Sequence, residues 1–150
     1  MITTQKIIDF VNVLLYEKHP ECTVYIQTLP KDYRKPAICI EVTSQGSEDN
    51  NISLIDEEVT LQIIYSMTPD NKHISTKTSL IAVSDSIKSV FKFGYITVEN
   101  RTLRISSLTG GPGDNDIYIS VTFNYIQERP VIEASYVVAS EVKINQQEAG

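Results

Sequence analysis

The chain has 150 residues, of which 41% are hydrophobic and 21% are charged. This length predicts one domain, or one domain that carries an arm, and it suffices to bury a core without disulfides or metals. The 13 basic and 19 acidic residues give a formal charge of −6, which argues against a DNA-binding domain and against binding to an anionic membrane.

The N-terminal sequence and the two cysteines predict a protein that folds in a reducing compartment. No basic region followed by an apolar run opens the chain, and no later stretch approaches the length of a membrane span. Cys22 and Cys39 lack the spacing of a zinc site or a redox pair, so we expect two buried thiols. We therefore expect a soluble protein that is made without export.

The first half of the chain predicts one helix and three strands. Thr3 or Thr4 can cap a helix whose apolar residues recur at helical spacing, and His19-Pro20 ends it. Alternation and β-branched runs predict strands at residues 23–27, 37–43 and 59–66. The polar residues 44–51 predict an exposed loop or the mobile tip of a long hairpin.

The second half predicts another helix and three strands. Ser75 or Thr76 can cap a helix that Gly94 ends, and strands follow at residues 95–98, 102–107 and 117–125. Residues 108–116 are rich in turn formers and predict a loop. The order of elements predicts an α+β fold, with a mostly antiparallel sheet of about four to five strands packed with two helices.

The C-terminal segment predicts an extended strand outside this domain. Between residues 132 and 144 nearly every even-numbered residue is apolar, Tyr136, Val138 and Val142 among them. We expect a domain at residues 1–128, an arm at 129–145 whose apolar face another chain covers, and a disordered tail at 146–150. The polar segments 44–58 and 108–116 are expected to be mobile contact elements.

The residues whose side chains could act in catalysis or ligand binding do not form a catalytic pattern. Neither histidine has a metal-ligating neighbour four residues on, and neither cysteine has the basic neighbours of a nucleophile. The acids at 56–58 and 114–116 lack calcium-loop spacing, and the glycines at 110–113 lack the lysine of a phosphate loop. We predict a non-enzymatic protein without cofactor or metal.

The pattern resembles the small tail terminator (tail completion) proteins of tailed bacteriophages and phage-tail-like bacteriocins. The resemblance covers roughly residues 3–127. It consists of the N-terminal amphipathic helix, the charged loop 33–36 that leads through Pro36 into an apolar strand, the strand 59–65, the helix 78–91 and the strand 119–125.

The resemblance implies a ring, usually of six subunits, that caps the head-proximal end of the tail tube. Such a ring stops tube polymerisation and offers a surface to the connector or, in contractile tails, to the last sheath ring. The implied partners are further copies of the chain, the tube protein, and a sheath or neck protein. DNA only passes through the ring, and no membrane is involved. The protein would lie in the bacterial cytoplasm during assembly and then in the virion or tail-like particle.

Under this interpretation twelve residues are candidate contacts with other subunits or partners. They are Lys31, Tyr33, Arg34, Lys35, Asp56, Glu57, Gly110, Gly111, Asp114, Tyr136, Val138 and Val142. Two alternatives stay open: a neck (head-tail connector) protein that binds the portal side, and a small-molecule-binding or enzymatic α+β domain.

Overall fold

A computed structural model of the chain describes residues 2–66, 73–113 and 116–129, with the backbone alone at 73–78. Two helices and six strands follow one another within these residues. They are α1 (Thr4–Lys18), β1 (Thr23–Ile26), β2 (Ala37–Asp49), β3 (Leu54–Ser66), α2 (His73–Ser89), β4 (Tyr95–Val98), β5 (Arg101–Pro112) and β6 (Asp116–Glu128).

The six strands form one curled, mixed sheet in the order β1-β2-β3-β6-β5-β4. All neighbours are antiparallel except β1 and β2, which are parallel. The predicted α+β class with two helices is confirmed, and the predicted mostly antiparallel sheet of about four to five strands is roughly consistent with the observed sheet but not exact. The sheet has six strands because both four-residue segments, β1 and β4, pair along its edges.

The core lies between the helices and one face of the sheet. Odd-numbered residues of β3 and β6 point into it, and Leu61, Ile63, Val121 and Phe123 are fully buried there. Helix α1 begins as predicted, because the side chain of Thr3 accepts a hydrogen bond from the backbone N–H of Lys6. The apolar stripe of α1 then lies on this face of the sheet.

Helix α2 differs from its prediction at both ends. It starts at His73 and ends at Ser89, five residues before the glycine that was expected to end it. Gly94 instead has a φ of +86° in the turn that leads into β4, a conformation that favours glycine.

Most residues of the two predicted loops are paired strand, so the prediction of loops is wrong, whereas the alternative of a long hairpin at residues 44–51 is confirmed. Strands β2 and β3 stay in register up to the pair Asp49 and Ile55, so only residues 50–53 form the hairpin tip. Strand β5 likewise continues through Gly110 and Gly111 to Pro112, paired with β6. Pairing with a long neighbouring strand satisfies these backbone groups despite their polar and glycine-rich composition.

Both outer long strands carry a β-bulge at the same height of the sheet. In β2 the register shifts between Val42 and Ser44, and in β5 it shifts between Ile105 and Ser107. Between the two bulges lies the central pair Thr60 and Thr122, whose hydroxyl oxygens are 2.9 Å apart. Bulges increase the local twist of a sheet, so this line of residues is where the sheet bends.

The predicted arm beyond Arg129 and the tail 146–150 lie outside the described residues, and the boundary at residue 128 stays a prediction.

We predict that Gly110→Ala destabilises the fold by about 2 kcal/mol or more. Gly110 has a φ of +111°, and an added Cβ would clash with the carbonyl oxygen of Tyr118. Gly111→Ala is the matched control, because a Cβ there meets nothing within 4 Å, and its effect should stay below about 1 kcal/mol. Urea denaturation of both variants measures the difference, and equal stabilities would contradict this account of the β5–β6 hairpin.

Candidate assembly surfaces

The sheet face opposite the core is polar along its central strands. The even-numbered residues of β3 and β6 point to this face, including Glu58, Thr60, Gln62, Ser120 and Asn124. Cross-strand pairs place Gln62 beside Ser120, and Glu58 beside Asn124. We call this the open face, because the buried hydrophobic cluster lies on the other side of both strands.

The end of the open face nearest the β2–β3 hairpin tip is acidic. Asn50 Nδ2 donates to Asp56 Oδ1 at 2.9 Å, and Asn124 Nδ2 donates to Glu58 Oε2 at 3.3 Å. These groups border a depression of about 700 Å³. The charged residues that line it are Glu48, Asp56, Glu57, Glu58 and Arg104. Three of these acids, Glu48, Asp56 and Glu58, have open-face positions, and their carboxylates against one guanidinium repel other anions.

The opposite end of the open face carries the basic loop between β1 and β2. The ring of Tyr33 meets the ring of Tyr25 edge-on at 6.4 Å, and the ammonium of Lys35 lies 5.4 Å from the centre of the Tyr33 ring. The backbone N–H of Arg34 donates to the Tyr25 hydroxyl at 3.0 Å. The three cationic side chains, Lys31 included, are exposed.

The contact residues predicted from sequence fall at two ends of the molecule. Gly111 pairs with Tyr118. The pKa of Tyr118 is raised mainly by the negative charge of Asp116 and to a smaller extent by Tyr33, which places the basic loop and the glycines at one end. Asp56 lies at the other end on the open face.

Glu57 lies beside Asp56 but points to the core side of the sheet. It accepts a hydrogen bond from Ser47 Oγ at 2.7 Å. Burial, and then the charge of Glu57, raise the pKa of Tyr125. Of the remaining predicted contacts, Asp114, Tyr136, Val138 and Val142 lie outside the described residues.

The hairpin tip is fastened to the end of β6 by Arg129. Its backbone N–H donates to the carbonyl of Ser53 at 2.7 Å, and its guanidinium donates to the carbonyl of Ile52 at 3.1 Å and to Asp49 Oδ1 at 2.6 Å. Arg129 therefore lies beside this tip, where the side chain of Ile52 is 91% exposed.

The sheet has a free edge on each side among the described residues. Strand β1 pairs with residues 37–40 of β2 and leaves residues 43–49 without an outer partner. Strand β4 pairs with residues 101–104 of β5 and leaves residues 106–112 without one. Unpaired edges of this length are templates for another strand.

Exposed aromatic residues accompany the β4 edge. Phe93 is 80% exposed and Tyr95 is 55% exposed. Aromatic side chains are enriched at protein interfaces, so this edge combines free backbone groups with apolar surface.

The two thiols are buried, and His19 has structural contacts. Burial and then the charge of a neighbouring glutamate raise the pKa of Cys22 to about 12 and that of Cys39 to about 11. His19 caps the C-terminus of α1 through its backbone and bonds Ser86 Oγ through Nε2 at 3.1 Å. No group of three potential metal ligands was found among these residues, and neither described helix is long and apolar enough to span a bilayer.

Sequence reasoning missed Glu48, Arg104, Arg129 and the edge aromatic residues. The two apolar residues and three consecutive acids at 54–58 do not alternate, so no local period would have extended β3 and placed its acids on faces. Nothing local indicates the partners of Arg129, since Asp49 is 80 residues away along the chain.

Comparison with known proteins identifies the class of this chain as a structural protein of phage tails. The profile of a family described as "Phage tail terminator protein" matches residues 6–135. The chain therefore belongs to the phage tail terminator family, as its sequence resemblance predicted.

No curated protein matches the chain. One solved structure covers 87% of this chain and 100% of its own length, with 12% identity and a TM-score of 0.43. At that score the likeness carries no inference.

We predict that both thiols resist alkylation by iodoacetamide at about pH 8 and react once the chain is unfolded. The raised folded-state pKa values keep both thiols protonated, whereas an unfolded thiol ionises near 9.0. Stability should therefore fall as the pH rises past about 9, because only the unfolded state gains thiolate there. Mass spectrometry counts the modified cysteines, and rapid modification of the folded protein would contradict their burial.

Proposed function

We propose that this protein forms a ring of six subunits that caps the head-proximal end of a phage or phage-like tail tube. The ring ends polymerisation of the tube, and of the sheath where one is present, and offers the surface that joins the tail to the head. The protein acts without catalysis. It lies in the bacterial cytoplasm during assembly and afterwards in the tail.

The family match over residues 6–135 carries this proposal. It includes α1 from Lys6 onward, all of α2, the six described strands and the first residues of the predicted arm. The two free sheet edges support self-assembly, because each can accept a strand from another chain.

The distribution of charge supports a role around passing DNA. Six copies of a chain with charge −6 carry −36 in total. The acidic end of the open face repels phosphate, so DNA that moves past such a surface does not adhere. The basic loop at the other end, with Lys31, Arg34 and Lys35, offers the complementary charge for an acidic protein surface.

The arm is the second proposed contact. It starts beside the hairpin tip, and we propose that it adds as a strand to a neighbouring subunit or to a sheath protein, with Tyr136, Val138 and Val142 on the covered face. The contacts of Arg129 then hold the start of the arm while its remainder reaches another chain.

We predict that this protein shortens tubes assembled from the tail tube protein of the same particle. A cap blocks the end to which subunits add, so tube length in electron micrographs should fall as the protein concentration rises. Deletion of its gene should give tails of uncontrolled length or tails that do not join heads. Normal infectious particles from the deletion strain would refute the proposal, and binding to portal protein without binding to tube would identify a neck protein instead.

We predict that truncation after Arg129 preserves the fold and abolishes assembly. The cut retains the hydrogen bonds of Arg129 with the hairpin tip, while it removes the apolar strand. Tyr136→Asp and Val138→Asp should act in the same way, because a charge on the covered face opposes burial. Glu141→Ala is the matched control on the polar register and should assemble normally. Circular dichroism and light scattering give the two measurements, and a truncated chain that fails to fold would place the arm in the subunit's own core.

A further inference from the structure

The two free edges lie at opposite ends of the sheet along the strand direction. We call the position along this direction the height. A row across the sheet joins Tyr25 in β1, Cys39 in β2, Ile64 in β3, Tyr118 in β6 and Gly111 in β5. Strand β1 therefore occupies the same height as the free edge of β5.

A second row gives the converse arrangement on the other side. It joins Gly46 in β2, Glu58 in β3, Asn124 in β6, Arg104 in β5 and Tyr95 in β4. Strand β4 therefore occupies the same height as the free edge of β2. Each side of the sheet therefore has one short outer strand, β1 or β4, and beside it a stretch without an outer partner, which we call a notch. The short strand on one side lies at the same height as the notch on the other side.

We propose that the β4–β5 side of one copy docks against the β1–β2 side of a second copy, so that each projecting strand fills the other copy's notch. This inference rests on the proposed ring and specifies the contact between its subunits. Strand β1 of the second copy lies along residues 106–112, and β4 lies along residues 43–49 of the second copy.

The strand directions permit this contact. Rotation about an axis that runs along the strands leaves their directions unchanged from copy to copy. Strands β1, β2 and β4 run one way and β5 runs the other way. The contact between the two copies, called the join below, therefore pairs β1 with β5 antiparallel and β4 with β2 parallel. Both pairings occur in mixed sheets.

The side chains at the join are complementary in size. Tyr95 lies in the row of Gly46, so in the join its ring comes beside Gly46 of the second copy. An added Cβ at Gly46 would meet nothing within 4 Å, which leaves room for the aromatic ring. An aromatic ring over a glycine in a neighbouring strand is a known stabilising pair. The exposed surface of Tyr95 thus gains a partner.

The contact joins two different surfaces, so it is head-to-tail. A contact of this kind leaves one free side of each type after two copies meet, and the assembly closes into a ring where the rotation between copies closes and continues as a filament where it does not. This property suits a ring and excludes an isolated symmetric dimer through the same surfaces.

Cysteine pairs test the contact directly. Thr97 follows Tyr95 by two residues, and Glu48 follows Gly46 by two residues. Because β4 and β2 run the same way, Thr97 and Glu48 face the same side at the same height in the proposed contact. Protein with Thr97→Cys, mixed with protein with Glu48→Cys and mildly oxidised, should form a disulfide between copies, since adjacent strands bring such residues within disulfide range. Ser47→Cys is the matched control, because its side chain points to the opposite face.

Two tyrosine substitutions test how much Tyr95 contributes to the free energy of self-association. Tyr95→Ser should raise the dissociation constant for self-association about tenfold. Tyr16→Ser is the control, because Tyr16 on α1 is 58% exposed, close to the 55% of Tyr95. Light scattering and analytical ultracentrifugation measure both variants.

The outcomes separate this inference from the proposed function. A ring that gives no Thr97–Glu48 cross-link, or that tolerates Tyr95→Ser as well as Tyr16→Ser, overturns the edge contact and leaves tube capping intact. Protein that stays monomeric at all concentrations also overturns it. Cross-linked rings that do not shorten tubes support the edge contact and contradict the capping function.

Discussion

The pairing of β3 with β6 is the constraint on which the rest of the structure depends. The two strands are aligned without interruption from Leu54 and Glu128 to Ser66 and Asp116. Both bury their odd-numbered residues, so a slip of one residue would expose Leu61 and Ile63 together and bury polar neighbours in their place. The helices cover this apolar surface, and β2 and β5 use the outer hydrogen-bonding groups of the central pair.

The length of this central pair accounts for the shape of the remaining sheet. Strands β2 and β5 follow β3 and β6 along most of their length, while β1 and β4 are too short to cover them. The uncovered stretches contain Gly46, Gly110 and Gly111 and few apolar side chains. Such composition keeps an edge soluble in the free subunit while its backbone groups stay available to a specific partner.

The sequence predicts well those elements whose signal is local. Helix α1 and the buried halves of β3 and β6 were predicted because apolar residues recur at a fixed period that burial on one face requires. The outer parts of β2, β3 and β5 were predicted as loops because their composition is polar and rich in glycine. Their strand structure depends on pairing with residues far away in sequence, which no local period reveals.

The candidate surfaces were only partly predictable for the same reason. The basic loop with Tyr33 and the acids Asp56 and Glu57 stand out as residue types, and both lie at the surface or edge of the sheet. Their separation to opposite ends follows from the strand order. The attachment of Arg129 and the opposite heights of the free edges follow from the register, and neither can be obtained from residue types.

The paired bulges have a consequence for how this sheet tolerates insertions and deletions. Because Thr43 and Ser106 are the extra residues in β2 and β5, loss of either would leave a regular ladder in which every residue beyond the bulge keeps its partner and its face. Without Thr43, Ser44 would still lie opposite Thr60 and Glu48 opposite Asp56. A deletion of one residue at either bulge thus reduces the local twist, whereas a deletion of one residue beyond the bulge would turn the rest of the strand to the opposite face.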